Sequence, residues 1–402
     1  MTMIRSERYA AVFLLIAGVL GLIAANLWFG PALIEAANVH LHTGLFGLDL
    51  SAKHWISDGL LAIFFFLIAI ELKRELVIGD LNSFGKAALP ALAALGGVVV
   101  PAGIYLLLTR GSGLAAGWPV PTATDIAFAL GVLAVFGRGI PTRVRVFLLA
   151  LAVLDDLVAI LIIAFFFTQD PQLQYIGVAA IAATLFGVTS RVLKPRSPWV
   201  LGRRPVWPVV VALVLLGVAT WYFTYLSGVH ATIAGVLLGL VMARVPGGRT
   251  HHVLEPYSNA VILPLFAFSA ALVAIPQVSL AELSPAFWGI LVALPVGKLL
   301  GITLAGTLGS LISRRPAGSG AGLRFTDIVM VACLGGIGFT VSLLMGALAF
   351  AGNTEIVDEA TLAVLLGSGV AILLSAGVVS VRARQYRRAA GTPRPAASPS
   401  TR

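Results

Sequence analysis

Charged side chains are scarce in this chain of 402 residues: Asp, Glu, Lys and Arg make up 11%, against 59% hydrophobic residues. Soluble domains carry charge on roughly a quarter of their residues, so the composition excludes an ordinary water-soluble fold. There is a single cysteine, Cys333. No intramolecular disulfide can form, and the redox compartment stays open. Set in an apolar stretch, Cys333 reads as a small core residue. Acids are rarer than bases, 17 against 27, for a formal charge of +10. Such a balance can signal nucleic acid, and the placement of the bases decides against it.

The apolar residues fall in runs of about 20 separated by short polar joints, the length a helix rising about 1.5 Å per residue needs to cross about 30 Å of hydrocarbon. Open sheets would leave edge groups unpaired in lipid. The expectation is an all-α integral membrane protein of twelve transmembrane helices, near 9–30, 56–77, 86–109, 119–136, 143–167, 173–193, 206–223, 227–244, 253–274, 286–312, 325–350 and 360–381. The first run, Tyr9 to Trp28 behind Arg5 and Arg8, exceeds the apolar region of a secretory signal and reads as a retained span.

Basic residues are nearly absent from alternate joints. Of the 27, two (Lys53 and Arg110) lie on one side, one (Lys298) lies inside a span, and the other 24 lie opposite. By the positive-inside rule both termini are cytoplasmic. A wrong span count would scramble the alternation. The bases face lipid headgroups, and no nucleic-acid partner is expected.

Between the first two spans, Thr43, Gly44, Gly47 and Asp49 alternate with apolar residues in the stretch His42 to Leu50, which permits a small outer-face hairpin. Residues 383–402 read as a disordered basic cytoplasmic tail, rich in Ala, Pro, Ser and Arg without periodicity. Residues 1–382 are expected to form a single transmembrane domain. Two spans are interrupted, the fourth by Pro119 and Pro121 ahead of Thr124 and Asp125, the eleventh by Gly335-Gly336-Ile337-Gly338. They occupy corresponding places in two three-span units, 86–167 and 286–381, of which the second enters from the opposite side. That is an inverted repeat with two interrupted helices crossing at the midplane, the setting of a transport site, with 9–77 and 173–274 as interface helices. Glycine for close helix packing is the alternative reading of either interruption alone, and a weaker one for the two together.

Asp155 and Asp156 lie in the middle of the fifth span, where a carboxylate costs at least about 2.5 kcal/mol, so an ion pathway is the default reading. Neighbours in a helix point about 100° apart, so one acid can face a cavity while the other reaches a neighbouring helix. Asp125 in the fourth span and Lys298 in the tenth complete three acids and one base. Lys298 lies too deep for its amine to reach water and needs a partner. Half-helices meeting at the midplane bring partial charges into hydrocarbon, which Asp125 is placed to offset at the positive ends and Lys298 at the negative ends. Direct ion coordination is the other reading of Asp125.

Carboxylates, a threonine hydroxyl and freed backbone carbonyls make a hard oxygen site for Na⁺ or Li⁺, and the same carboxylates take protons when the metal leaves. Exclusive binding becomes exchange if the protein changes its open side only when loaded. Two adjacent acids titrate as a pair. No cofactor is called for, and no catalytic residue.

At these residues the sequence resembles the bacterial NhaA-type Na⁺/H⁺ antiporters. The likeness is carried by Ala123-Thr124-Asp125-Ile126-Ala127-Phe128-Ala129-Leu130-Gly131-Val132-Leu133, by Ala150-Leu151-Ala152-Val153-Leu154-Asp155-Asp156-Leu157, and by Ser227-Gly228-Val229-His230-Ala231-Thr232. Leu263-Pro264-Leu265-Phe266-Ala267-Phe268, Gly336-Ile337-Gly338-Phe339-Thr340 and Glu71-Leu72-Lys73-Arg74-Glu75-Leu76 carry it too. It runs from the first span to the twelfth. Inverted repeats are a known property of that family, so the repeat above is part of the likeness.

The resemblance implies electrogenic exchange of more protons than sodium ions, pH-gated activity, a homodimer sealed partly by the hairpin, a place in the bacterial cytoplasmic membrane, and a role in salt and alkaline resistance. It makes Asp155 and Asp156 the ion and proton site, where transported Na⁺ binds, and Lys298 the partner of Asp155. Thr124, Asp125, Gly336 and Thr340 belong to the crossing, and Glu71 and Glu75 to the cytoplasmic mouth. His230 is tied to pH response, and equally reads as a polar residue at a helix start.

The chain departs from the pattern at the ninth span, where an acid is expected and Thr250-His251-His252-Val253-Leu254-Glu255-Pro256 stands, and after Phe268, where Ser269-Ala270-Ala271 replaces Asn and Gly. His251 joins the candidates for pH response. An intramembrane aspartyl protease needs two acids from facing helices sharing a proton, and the Gly-x-Gly-Asp motif of such proteases is absent. A sodium-coupled symporter or cation channel of the same fold is the nearer rival, neither of which has to keep a titratable acid pair beside a buried lysine.

Overall fold

The computed structural model describes residues 7–42, 48–79, 81–168, 170–276, 279, 282–312 and 323–391. Among them the protein is all-α apart from one hairpin. Among the described residues nine helical stretches are long and apolar enough to cross a membrane, two further pairs pass that test as bent spans, and one apolar helix is short.

The first helix, α1 (Glu7–Ala25), stops five residues short of the expected boundary, and α2 (Gly30–Asn38) leaves it at 110°. Gly30 permits the bend, since a Cβ there would strike the Ala25 carbonyl. The expected hairpin is present as β1 (His40–His42) against β2 (Asp49–Ser51), antiparallel with His40 opposite Ser51. Its turn, 43–47, lies outside the described residues. Ser51 then caps α3 (Ala52–His54), accepting from His54 N at 3.2 Å. A π-turn over Trp55–Leu60 leads into α4 (Leu61–Val77).

The third span is α5 (Phe84–Leu108) and the fourth is interrupted, with short 3₁₀ turns up to Thr122, extended backbone at Ala123 and Asp125, and then α6 (Ile126–Phe136). The fifth, α7 (Thr142–Phe166), is unbroken and buried along most of its length. After α8 (Leu173–Ser190) and the single turn α9 (Pro198–Leu201) comes α10 (Trp207–Leu226). The exposed side chains of α10 include Val210, Val214, Leu215 and Val218, a face suited to lipid and not to water.

The eighth expected span is only α11 (Thr232–Val241), ten residues or about 15 Å, half the hydrocarbon thickness. Gly228 turns the chain before it at φ +76. At its far end the Lys73 ammonium donates to the carbonyls of Leu240 (2.6 Å) and Met242 (2.8 Å), supplying donors that the truncated helix lacks. Gly235 and Gly239, on one face of α11, sit where a Cβ would meet the carbonyls of Ala62 and Phe66, so α11 lies backbone to backbone on α4.

The ninth span begins earlier than expected, as α12 (Arg244–Tyr257) continuing through a π-turn into α13 (Leu263–Ala270). The tenth is α14 (Pro285–Val292), a π-turn over Ala293–Gly297, and α15 (Lys298–Ile312). The eleventh is broken as the glycines suggest, α16 (Phe325–Gly335) and α17 (Phe339–Ala349) meeting at 50°. The last helix, α18 (Thr354–Gly391), carries the correction to the tail. Residues 383–391 continue this helix instead of opening a disordered segment, because Arg382 and Tyr386 are anchored on Asp327. Residues 392–402 lie outside the described residues.

Helices α5 and α15 cross at Gly96 and Gly301, where a Cβ on either would meet the carbonyl of the other. Backbone cannot yield as a flexible side chain does. Gly301→Val is expected to cut the yield of monodisperse detergent-solubilised protein about tenfold by size-exclusion chromatography. Gly103→Ala in α5, where a Cβ meets nothing within 4 Å, is expected to leave it unchanged.

Candidate functional site

The two interruptions face each other, and hydrogen bonds between them join the crossing. Asp125 N donates to Ile337 O at 2.6 Å, and Ser342 Oγ to Val120 O at 2.8 Å. Phe339 N, the first donor of α17, reaches Ser368 Oγ of α18 at 3.1 Å. In hydrocarbon these freed groups have no water to turn to. Proline and glycine marked the breaks in the sequence. The serines that satisfy them were passed over, although a hydroxyl in an apolar run is itself a signal.

Asp125 caps both half-helices. Its Oδ1 accepts from Phe128 N of its own helix at 3.1 Å, and its Oδ2 accepts from Thr340 N at 3.2 Å and Thr340 Oγ1 at 2.6 Å. One buried carboxylate thus serves two helix N-termini, each equivalent to about half a positive charge, and its own charge is offset in place. Both oxygens of Asp125 are thus engaged by donors at the two helix N-termini. Among the glycines of the break, Gly336 has ordinary space for a Cβ, whereas one at Gly338 would stand 2.8 Å from Leu294 Cδ1 and closer still to Ser342 Oγ. Gly338 is the tighter position.

Asp155 and Asp156, near the middle of α7, are 2% and 4% exposed, and Lys298 and Thr124 are buried with them. The Lys298 ammonium is ion-paired with Asp155 Oδ2. Of the two expectations for Lys298, the ion pair is the contact present, since a full carboxylate charge attracts an ammonium more strongly than the partial charge of terminal carbonyls. The C-terminal carbonyl of α16, Gly335 O, instead faces Thr124 Oγ1 at 2.8 Å, and the same hydroxyl lies 2.6 Å from Asp155 Oδ2. A hydroxyl has one hydrogen, so it serves one of these acceptors at a time. Asp155 Oδ1 is buried and accepts no hydrogen bond. Asp156 has no hydrogen-bond partner among the described residues. The described charges acting on it are Asp155, Asp125 and Glu71, which repel, and Lys298, which attracts. With Asp125 offset by helix ends and Asp155 paired with Lys298, Asp156 is the one of the three acids with no ion-pair partner of its own among the described residues.

The other candidates lie apart from this centre. Glu71 lines a cleft of about 260 Å³ with Lys73, Arg74, Met242, Arg244 and His251. His251 stands between Glu71 (3.9 Å) and Glu255 (3.7 Å), so the departure from the family pattern in the ninth span sits at this mouth. Glu75 follows Glu71 by one turn on α4. His230 is at the other end: its Nε2 lies 3.4 Å from Asp58 Oδ1 and its Nδ1 2.7 Å from Thr232 Oγ1. Asp58 and Glu71 are separated by about 20 Å of helix rise. Asp58 had not been singled out in the sequence, and Trp221 Nε1 holds its carbonyl at 2.8 Å.

The sequence profile of a family described as Na⁺/H⁺ antiporter 1 matches residues 1–379. Among curated relatives, Na⁺/H⁺ antiporter NhaA 2 of Clavibacter michiganensis subsp. michiganensis is 59% identical over 389 residues, covering 96% of this chain and 93% of the relative. Na⁺/H⁺ antiporter NhaA of Tropheryma whipplei is 46% identical over 393 residues, 96% of each. Na⁺/H⁺ antiporter NhaA 3 of Streptomyces coelicolor is 44% identical over 401 residues, covering 96% of this chain and 80% of the relative.

Proposed function

Because the chain belongs to the Na⁺/H⁺ antiporter 1 family and is a multi-pass Na⁺/H⁺ antiporter of the bacterial cytoplasmic membrane, we propose that Asp155 and Asp156 hold its two substrates in turn. The single observation that supports this assignment is a pair of adjacent buried carboxylates, of which Asp155 Oδ1 meets no hydrogen-bond donor among the described residues and Asp156 has no ion-pair partner there. They stand beside the Thr124 hydroxyl and the freed Gly335 carbonyl. A small hard cation, Na⁺ or Li⁺, completes such a set. Protons complete it equally, one ligand excluding the other. Lys298 holds Asp155, and Asp125 with Thr340 holds the crossing around Gly336.

The cycle proceeds by one unit rocking against the rest, so that the site opens to each side in turn. All twelve apolar stretches serve as spans with both termini cytoplasmic, the short α11 included, and the units 86–167 and 286–381 are inverted repeats. Glu71 and Glu75 recruit cations at the cytoplasmic mouth, and His251 and His230 tune the response to pH. A homodimer, with the hairpin at its interface, is the working assembly. Two protons entering per sodium leaving move one charge, worth roughly 2.3 kcal/mol per 100 mV. Membrane potential then drives sodium out, which serves salt and alkaline resistance.

Purified protein in acid-loaded proteoliposomes tests the reading. External Na⁺ or Li⁺ is expected to release internal protons, and valinomycin with K⁺ to speed that release by collapsing the opposing potential. Sodium uptake without proton release would point to the symporter or channel. A rate unaffected by valinomycin would overturn the electrogenic stoichiometry.

A further inference from the structure

Asp327, in the first turn of α16, is fully buried and lies outside the ion site. Its Oδ1 accepts from Arg382 Nη2 at 2.6 Å, and its Oδ2 accepts from Tyr386 OH at 2.7 Å and Arg324 N at 3.2 Å. The Arg382 guanidinium also stacks on the Tyr386 ring, 4.9 Å from its centre. Two of these partners belong to the stretch of α18 that runs beyond its apolar span. A buried ion pair contributes little net stability over apolar residues of similar volume, so its use lies in fixed geometry, which the rigid planar fork of arginine supplies.

The break makes that geometry matter. A continuous span holds its own axial position, but α16 ends at Gly335 and must be held from outside. Helix α18 holds the broken span at two points: Ser368 binds Phe339 N at the break, and Arg382 binds Asp327 at the far end. Asp327 and Gly335 are about 12 Å apart along α16, and Gly335 O is the carbonyl facing Thr124 beside Asp155. The same end of α18 reaches the turn between α6 and α7, where Gly139, at φ +93, leaves room for the Arg387 side chain.

We propose that Arg382 is a positioning residue for sodium binding, acting through Asp327 and α16 to set the height of the Gly335 carbonyl against Thr124 and Asp155. The proposal rests on Asp155 and Asp156 being the ion site. Its effect falls on sodium affinity and not on folding alone. In Asp327→Leu/Arg382→Leu no unpaired charge is left behind, and α16 can slide. Reconstituted at equal amounts of folded protein, that variant is expected to show an apparent KM for Na⁺ raised at least threefold with maximal rate reduced no more than twofold. Tyr386→Phe keeps both charges, removes one donor to Asp327, and is expected to raise KM about twofold. It carries the test if the double variant does not fold. An unchanged KM in the folded double variant, or in Tyr386→Phe where that variant alone folds, overturns the proposal. Asp156→Asn run in parallel separates the two ideas: exchange surviving there defeats the ion site, whereas an inactive Asp156→Asn beside an unchanged KM in the latch variants defeats the latch alone.

Discussion

Asp156→Asn is expected to abolish sodium-driven proton release, lowering the initial rate in acid-loaded proteoliposomes at least a hundredfold, while leaving the amount of folded protein unchanged. The asymmetry with its neighbour follows from partners. Among the described residues Asp156 has neither a hydrogen-bond donor nor an ion-pair partner, so an amide there takes a partner from no other group. The amide takes no exchangeable proton, and it gives up an attraction for a monovalent cation of about 4 kcal/mol at 4 Å and an effective dielectric near 20, roughly a thousandfold in affinity. Asp155→Asn breaks the pair with Lys298 and leaves a buried ammonium uncompensated, a loss of about 3–5 kcal/mol. That variant is expected to be inactive and also poorly folded, with a melting temperature at least 10 °C below the parent in detergent. Asp156→Asn retaining a tenth of the parent rate would remove this residue from the exchange.

The acids were legible in the sequence because hydrocarbon makes them conspicuous: a carboxylate in mid-span calls for a partner or a function. Most spans were legible for the same reason, since bilayer thickness sets their length. Pro119, Pro121 and the glycines around Ile337 marked the interruptions because a helix cannot pass such residues without a reason. What was hidden depends on partners distant in the chain. Asp125 precedes a helix and reads as a cap, yet nothing local says that its second oxygen serves Thr340, 215 residues on. That Lys298 needs a partner was legible from its depth, and the resemblance named Asp155; burial alone could not say which of the acids lies within reach. Gly235 and Gly239 look the same in a long span and in the ten-residue α11. The difference is made by Gly228 and by Lys73, which comes from another helix. The end of α18 looked like tail because its composition is polar and basic, and its anchor, Asp327, lies 55 residues earlier.

Asp125→Ala is expected to cost more stability than any other single change in the crossing, because it removes the cap of α6 and the partner of α17 together. The cap of α6 is worth about 0.5–2 kcal/mol. The Thr340 amide and hydroxyl would be left buried and unsatisfied, at about 1–3 kcal/mol each. The sum, roughly 3–8 kcal/mol, is comparable to the whole margin of about 5–15 kcal/mol that typical folded proteins hold. Thermal melting in detergent should find little cooperative unfolding left in Asp125→Ala. Asp125→Asn keeps one carbonyl oxygen, which can serve Phe128 N or Thr340 but not both ends, and should fall between the two. If instead Asp125→Ala melts within 3 °C of the parent but loses sodium affinity, Asp125 is an ion ligand and not the element that neutralises the two helix ends.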